Sequence, residues 1–90
     1  MPELKIQSKE AFTELFDQFW EDLYNYAVKY TQQPELAQDL VQDLFAHIWI
    51  KRNKITVQDS WNKYLFSALK NRIIDAHRSN KITLLPLPED

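Results

Sequence analysis

The chain has 90 residues, enough for one small domain with a single core. It is 44% hydrophobic, holds twelve aromatics and carries a net charge of -2, which excludes a disordered chain and a general polycationic nucleic-acid binder. Without cysteine there is no disulfide framework or thiolate metal site, and without glycine hairpins, phosphate-cradling loops and dinucleotide sites are disfavoured.

The first helix is expected to start after Ser8, a good N-cap, with Glu10 in its first turn where a negative charge suits the dipole. Its stripe, Phe12, Leu15, Phe16, Phe19, Trp20, Leu23, Ala27 and Tyr30, is flanked by Tyr24 and Tyr26 and forms a wall for the other elements. The opposite side, Glu14, Asp17, Gln18, Glu21, Asp22 and Asn25, is acidic and solvated. Pro34 then suits the first turn of a second helix running to about Lys51, antiparallel to the first across a short turn.

The second helix places Leu36, Ala37, Leu40, Val41, Leu44, Phe45 and Ile48 on one face at i, i+3, i+4, i+7 spacing. Asp39, Gln42, Asp43 and Ala46 fall opposite, with Ile50, an isoleucine that the stripe does not need. Most polar helix faces meet only water, so context must say whether this one does more. From Arg52 to Ser60 no periodicity appears, and Asp59 or Ser60 can cap a third helix from Trp61 to about Arg78.

That third helix separates Trp61, Tyr64, Leu65, Ala68, Leu69 and Ala76 from a basic side of Lys63, Ser67, Lys70, Asn71, Ile74 and Arg78. Arg72 falls on the core side and needs a carboxylate or carbonyl partner there, expected from the first helix or from Asp75. The fold expected is all-α: a compact three-helix bundle over residues 1–79, with an irregular loop between helices two and three. The extended tail of residues 80–90, with two prolines and two terminal acids, is expected to be a linker.

Charge is split along the chain. Residues 1–45 hold three lysines and nine acids, for -6, whereas residues 46–90 hold eight basic residues and four acids, for +4. The split leaves room for a local basic surface, or for attraction between the two halves. Catalysis has little support: His47 and His77 lie on different helices without metal-ligand spacing, and the carboxylates sit on faces that leave their acidity unperturbed. No enzyme, catalytic residue, metal or other cofactor is expected. The N-terminus lacks the pattern of a signal peptide, and no apolar stretch approaches the roughly 20 residues that span a bilayer. A cytoplasmic protein without membrane insertion is expected.

Single-strand nucleic-acid binding has better support. Arg52, Lys54, Lys63, Lys70 and Arg78 are interleaved with Trp61, Tyr64 and Phe66 and with polar Asn53, Ser67 and Asn71. Phosphate neutralisation combined with pockets or platforms for bases is what an opened strand requires, although Trp61 and Tyr64 read first as core residues.

Two motifs in order carry a resemblance. Asp39-x-x-Gln42-Asp43-x-Phe45-x-x-x-Trp49 is followed by Tyr64-Leu65-Phe66 and by Asn71-Arg72-x-x-Asp75-x-x-Arg78. This resembles domain two of the bacterial sigma-70 family, and more narrowly its extracytoplasmic-function group, over residues 10 to 79. The resemblance implies a transcription initiation factor domain that binds core RNA polymerase through the clamp helices of the largest subunit. Asp39, Gln42 and Asp43 would be the polymerase-binding residues, with Ile50 flanking the dock.

By the same resemblance, the domain recognises and melts the promoter minus-ten element by capturing bases of the non-template strand. The loop from Arg52 to Ser60, including Asn53 and Lys54, would hold a flipped base, with Ser67 beside it and Asn71 helping to line its pocket. Lys63, Lys70 and Arg78 would hold phosphates, and an anti-sigma factor is an expected regulator. The family normally adds a helix-turn-helix domain for the minus-thirty-five element. Residues 80–90 are therefore expected to lead toward a domain that these residues do not include, a natural short form being the alternative. Gln33 departs from the family's usual Asp before Pro and is a poorer cap. A different class stays open, a helical protein-protein interaction module that never touches DNA.

Overall fold

The computed structural model describes residues 5–79. Within them lie α1 (Lys9–Thr31), α2 (Pro34–Ile50) and α3 (Trp61–Arg78). Every pair of helices is in contact, α1 with α2 most extensively, so the three form a bundle around one core. The expected linker, residues 80–90, lies outside the described residues.

Local chemistry sets the helix ends. Ser8 has extended backbone and its Oγ accepts a hydrogen bond from the Ala11 amide at 3.1 Å, satisfying an amide that the first turn of α1 leaves open. At the other end Gln32 takes φ 60°, a left-handed conformation that glycine would adopt without steric cost. Its amide donates to the Val28 carbonyl at 2.8 Å and closes the helix.

Gln33 stands at the N-cap of α2 and its side chain makes no capping hydrogen bond, as its chemistry suggests. Thr31 compensates by bracing the turn. Its hydroxyl accepts from the Gln33 amide at 3.2 Å and lies 3.3 Å from the Gln33 carbonyl, to which it donates. Between the two candidate caps of α3 the fold selects Ser60, whose Oγ accepts from the Lys63 amide at 3.1 Å.

Leu23, Val41, Leu44, Ile48, Leu65, Leu69 and Ile73 are fully buried at the centre. The stripe of α2 is the one expected, with Ala37 and Phe45 also buried and Leu36 and Leu40 partly so. Ile73 is the omission on α3. That helix is contacted by both α1 and α2, so its buried sector is wider than a single stripe.

The aromatic wall of α1 differs from expectation. Leu15, Leu23, Ala27 and Thr31 are the buried residues, whereas Phe12, Phe16, Phe19, Trp20 and Tyr30 are half-buried. Phe12 and Phe16 reach Phe45 on α2, with ring centroids 6.1 and 4.9 Å apart, and Phe12 lies 5.1 Å from Trp49. Trp20 instead stacks along its own helix, 5.5 Å from Phe16 and 5.8 Å from Tyr24. Rings four residues apart on one helix face cover each other, which leaves the small Ala27 and the slim Leu23 to fill the closest approach.

Burial therefore ranks the expected costs. Leu23→Ala will lower stability by about 2–5 kcal/mol through lost burial and a cavity, and Trp20→Ala by less, because Trp20 is only half-buried. Urea denaturation of both variants checks the order, and a larger loss for Trp20→Ala would contradict it.

Candidate nucleic-acid interface

Two adjacent cavities mark the side of the bundle where the loop meets α3. The first, of about 300 Å³, is lined by Thr56, Gln58, Asp59, Lys63, Tyr64 and Ser67 together with Val57 and Ser60. The second, of about 330 Å³, lies between α2 and α3 and is lined by Leu44, His47, Tyr64, Ser67, Ala68, Asn71 and Arg72. Tyr64 and Ser67 line both, so the two lie side by side and are together called the trough below.

The loop has more structure than its lack of periodicity suggests. Val57 is 2% exposed and anchors the middle of the segment. A turn at its start is closed by the Lys54 and Ile55 amides, which donate to the Lys51 carbonyl at 2.8 and 3.1 Å. Arg52 folds back rather than outward: Nη1 donates to the Trp49 carbonyl at 2.7 Å, and the guanidinium lies 3.9 Å from the centroid of the Trp49 ring. These contacts satisfy a carbonyl at the end of α2 and hold a cation against an aromatic face.

The residues expected to contact DNA are thus divided. Lys63 and Ser67 line the loop cavity, and Ser67 and Asn71 line the groove beside it. Asn71 lines the groove and is not among the residues lining the loop cavity. Asn53 and Lys54 are exposed in the turn, Arg78 is exposed at the end of α3 and Lys70 is half-buried. None of these four, nor Arg52, lines either cavity.

Lys63 is engaged within the protein. Its Nζ lies 2.7 Å from Asp59 Oδ2, four residues earlier, with both side chains largely exposed. The hydrogen bond to Asp59, and then its charge, raise the Lys63 ammonium above its ordinary value of 10.5. An upward shift of this kind supports the folded state below that value and is lost as the pH rises past it. A phosphate approaching Lys63 must compete with Asp59.

On α2, Asp39, Gln42 and Asp43 are all exposed opposite the buried stripe, and Ile50 is 72% exposed at its end. Phe66, a possible stacking platform by sequence, instead packs edge-on against Tyr26 of α1 at 5.4 Å. Arg72 is half-buried as the wheel suggested, yet among the described residues it makes no ion pair with α1 or with Asp75. Asp75 and Asp43 share with it a cleft of about 200 Å³ between α2 and α3. Thr56, Gln58, His47 and Arg72 are trough residues that the periodicity of the sequence did not single out. For Arg72 the available signal was a guanidinium interrupting an apolar face.

A family model described as Sigma-70 region 2 matches residues 15–82, a span that includes most of α1 and all of α2, the loop and α3. No curated protein and no solved structure matches the chain.

Freeing Lys63 is a direct probe of this surface. Asp59→Asn will raise affinity for a single-stranded oligonucleotide and steepen the salt slope by up to about 0.7, the share of one added phosphate contact. Stability will change by no more than about 0.5 kcal/mol, because Ser60 supplies the cap. Fluorescence anisotropy across a salt series checks this, and an unchanged slope would mean that Lys63 does not face the strand.

Proposed function

The chain belongs to the sigma-70 region 2 family, and on that premise we propose that it is the core-polymerase-binding and minus-ten-recognising domain of an extracytoplasmic-function sigma factor. Region 2 is a transcription initiation domain and not an enzyme family. In the described residues no helix is long and apolar enough to cross a membrane, in keeping with action on polymerase and promoter DNA in the cytoplasm. An anti-sigma factor is the regulator that such a role entails.

The observation that carries the reading is that one bundle presents an exposed polar patch on α2 and, beside it, a polar trough at the loop and α3. Asp39, Gln42 and Asp43 are exposed on α2, while the trough opens at the loop and α3 and reaches α2 at Leu44 and at His47, one turn beyond Asp43. In the proposed role the first surface docks on the clamp helices of the largest polymerase subunit, with Ile50 at its margin. The second takes a base of the non-template strand when the duplex opens.

No covalent chemistry is required of the protein. A base extruded from the stack can enter a side-chain pocket, whereas a paired base cannot. Binding the opened strand better than the duplex shifts the equilibrium toward melting by that difference in affinity. Asn71 and Ser67 supply amide and hydroxyl groups for a base edge, and Lys63, Lys70 and Arg78 supply positive charge for phosphates. Asn53 and Lys54 stand at the entry to the loop. Arg52 enters as a support for Trp49 and the loop rather than as a phosphate ligand, in view of its two contacts to Trp49.

The triple variant Asp39→Ala, Gln42→Ala, Asp43→Ala will lose retention by core polymerase while keeping its helical circular dichroism, since exposed changes usually cost within about 0.5 kcal/mol each. A pull-down that retained the variant as well as the parent would remove the docking role. Retention of polymerase by the parent domain, with no preference among minus-ten single strands, would favour an interaction module without DNA contact.

A further inference from the structure

The residues just ahead of α1 have no regular secondary structure, yet Ile6 among them is only 8% exposed and belongs to the hydrophobic core. Lys5 and Gln7 on either side are exposed. One apolar side chain turned inward between polar neighbours makes a segment laid over the bundle and held by a single anchor. Ser8 fixes its direction, through an extended backbone and the cap that its hydroxyl gives α1.

The anchor stands between two helices. Ile6 lines a cavity of about 190 Å³ with Ala11 and Leu15 of α1 and with Trp61, the first residue of α3. Packing on α1 alone would be a hydrophobic staple, in which a residue ahead of the cap covers its own helix. Trp61 comes from a different helix, which a staple does not require. From Trp61 the connection continues through a ring contact: it meets Tyr64 edge-on, with centroids 5.5 Å apart and an interplanar angle of 88°. Tyr64 lines both cavities of the trough, one of them together with Val57, the buried residue of the loop. An edge-to-face pair has a preferred geometry, so a displaced Trp61 is felt at Tyr64.

We infer that Ile6 is a positioning residue for the trough: the segment ahead of α1 straps down the start of α3, and Trp61 passes that restraint to Tyr64. The restraint is a property of the bundle alone. Its consequence rests on the proposed strand-capture role, because a wall already held in place loses less freedom when a ligand occupies the cavity. The strap is also weakly held, since the burial of one side chain must offset the conformational entropy of ordering the residues around it. Losing that one side chain therefore releases it.

The test compares Ile6→Ala and Ile6→Val with Val41→Ala, a buried change on α2 outside this line of contacts. Amide hydrogen exchange is measured first. Ile6→Ala will speed exchange at Lys63 and Tyr64, whose amides bond Ser60 in the first turn of α3, by about tenfold, the scale of a lost buried side chain in a local opening. The Lys54 and Ile55 amides at the other end of the loop will keep their rates, Ile6→Val will behave as the parent, and Val41→Ala will not reproduce the local pattern. Affinity for a fluorescent minus-ten single strand is then measured on core polymerase. Ile6→Ala will weaken it by roughly threefold to tenfold, below the loss of a whole stacked base, with polymerase retention unchanged and Ile6→Val restoring the affinity. Acceleration at every amide alike, or at none, would overturn the strap, and local acceleration with unaltered strand affinity would overturn its link to the trough. A parent domain without affinity for any single strand would overturn strand capture instead, and the exchange pattern would then decide the strap by itself.

Discussion

The burial of one stripe of α2 is the constraint on which the other features depend. Ala37, Val41, Leu44 and Ile48 are wholly removed from water and Phe45 nearly so, and α2 contacts both other helices. A fully buried aliphatic side chain contributes about 1.5–3 kcal/mol relative to its exposed state, so no other rotation of this helix about its axis competes. Once that rotation is set, Asp39, Gln42 and Asp43 must face outward, and Leu44 and His47 must line the groove toward α3. The two polar surfaces are thus consequences of a single packing decision.

The loop shows how a segment without periodicity acquires a shape. It is held at three points: by Arg52 clasping the end of α2 at Trp49, by the burial of Val57, and by Ser60 capping α3. Trp49 in turn leans on Phe12 of α1 at 5.1 Å, which ties the loop entrance to the first helix. Such anchoring would serve the proposed base capture, because a preordered cavity loses less conformational freedom when it accepts a ligand. It also explains why basic residues of similar charge have different environments. Arg52 is committed to the fold, Lys63 is shared with Asp59, and Arg78 is exposed.

Charge follows the same division. The acids of α1 are exposed on a face away from the trough, whereas the trough draws on the basic second half of the chain. Among the described residues, the one acid lining the trough is Asp59. It sits beside Lys63, where it moderates the positive charge that a strand would meet.

Much of this was legible in the sequence because it depends on near neighbours. Helix ends follow from Ser8, Pro34 and Ser60, whose hydrogen-bonding chemistry acts within three residues, and the stripe of α2 follows from the 3.6-residue period. The exposure of Asp39, Gln42 and Asp43 follows from the same period, and the spacing of the two motifs marked the family. What depends on distant neighbours was decided by the tertiary structure. Ile73 is buried because two helices converge on α3, and Trp20 is half-exposed because its own helix offers it stacking partners. Phe66 packs edge-on against Tyr26 of α1, forty residues earlier. Asn71 and Arg72 line the groove between α2 and α3, and among the described residues Arg72 makes no ion pair. A local pattern states which way a side chain leaves its helix. Only the packed bundle determines what it meets there.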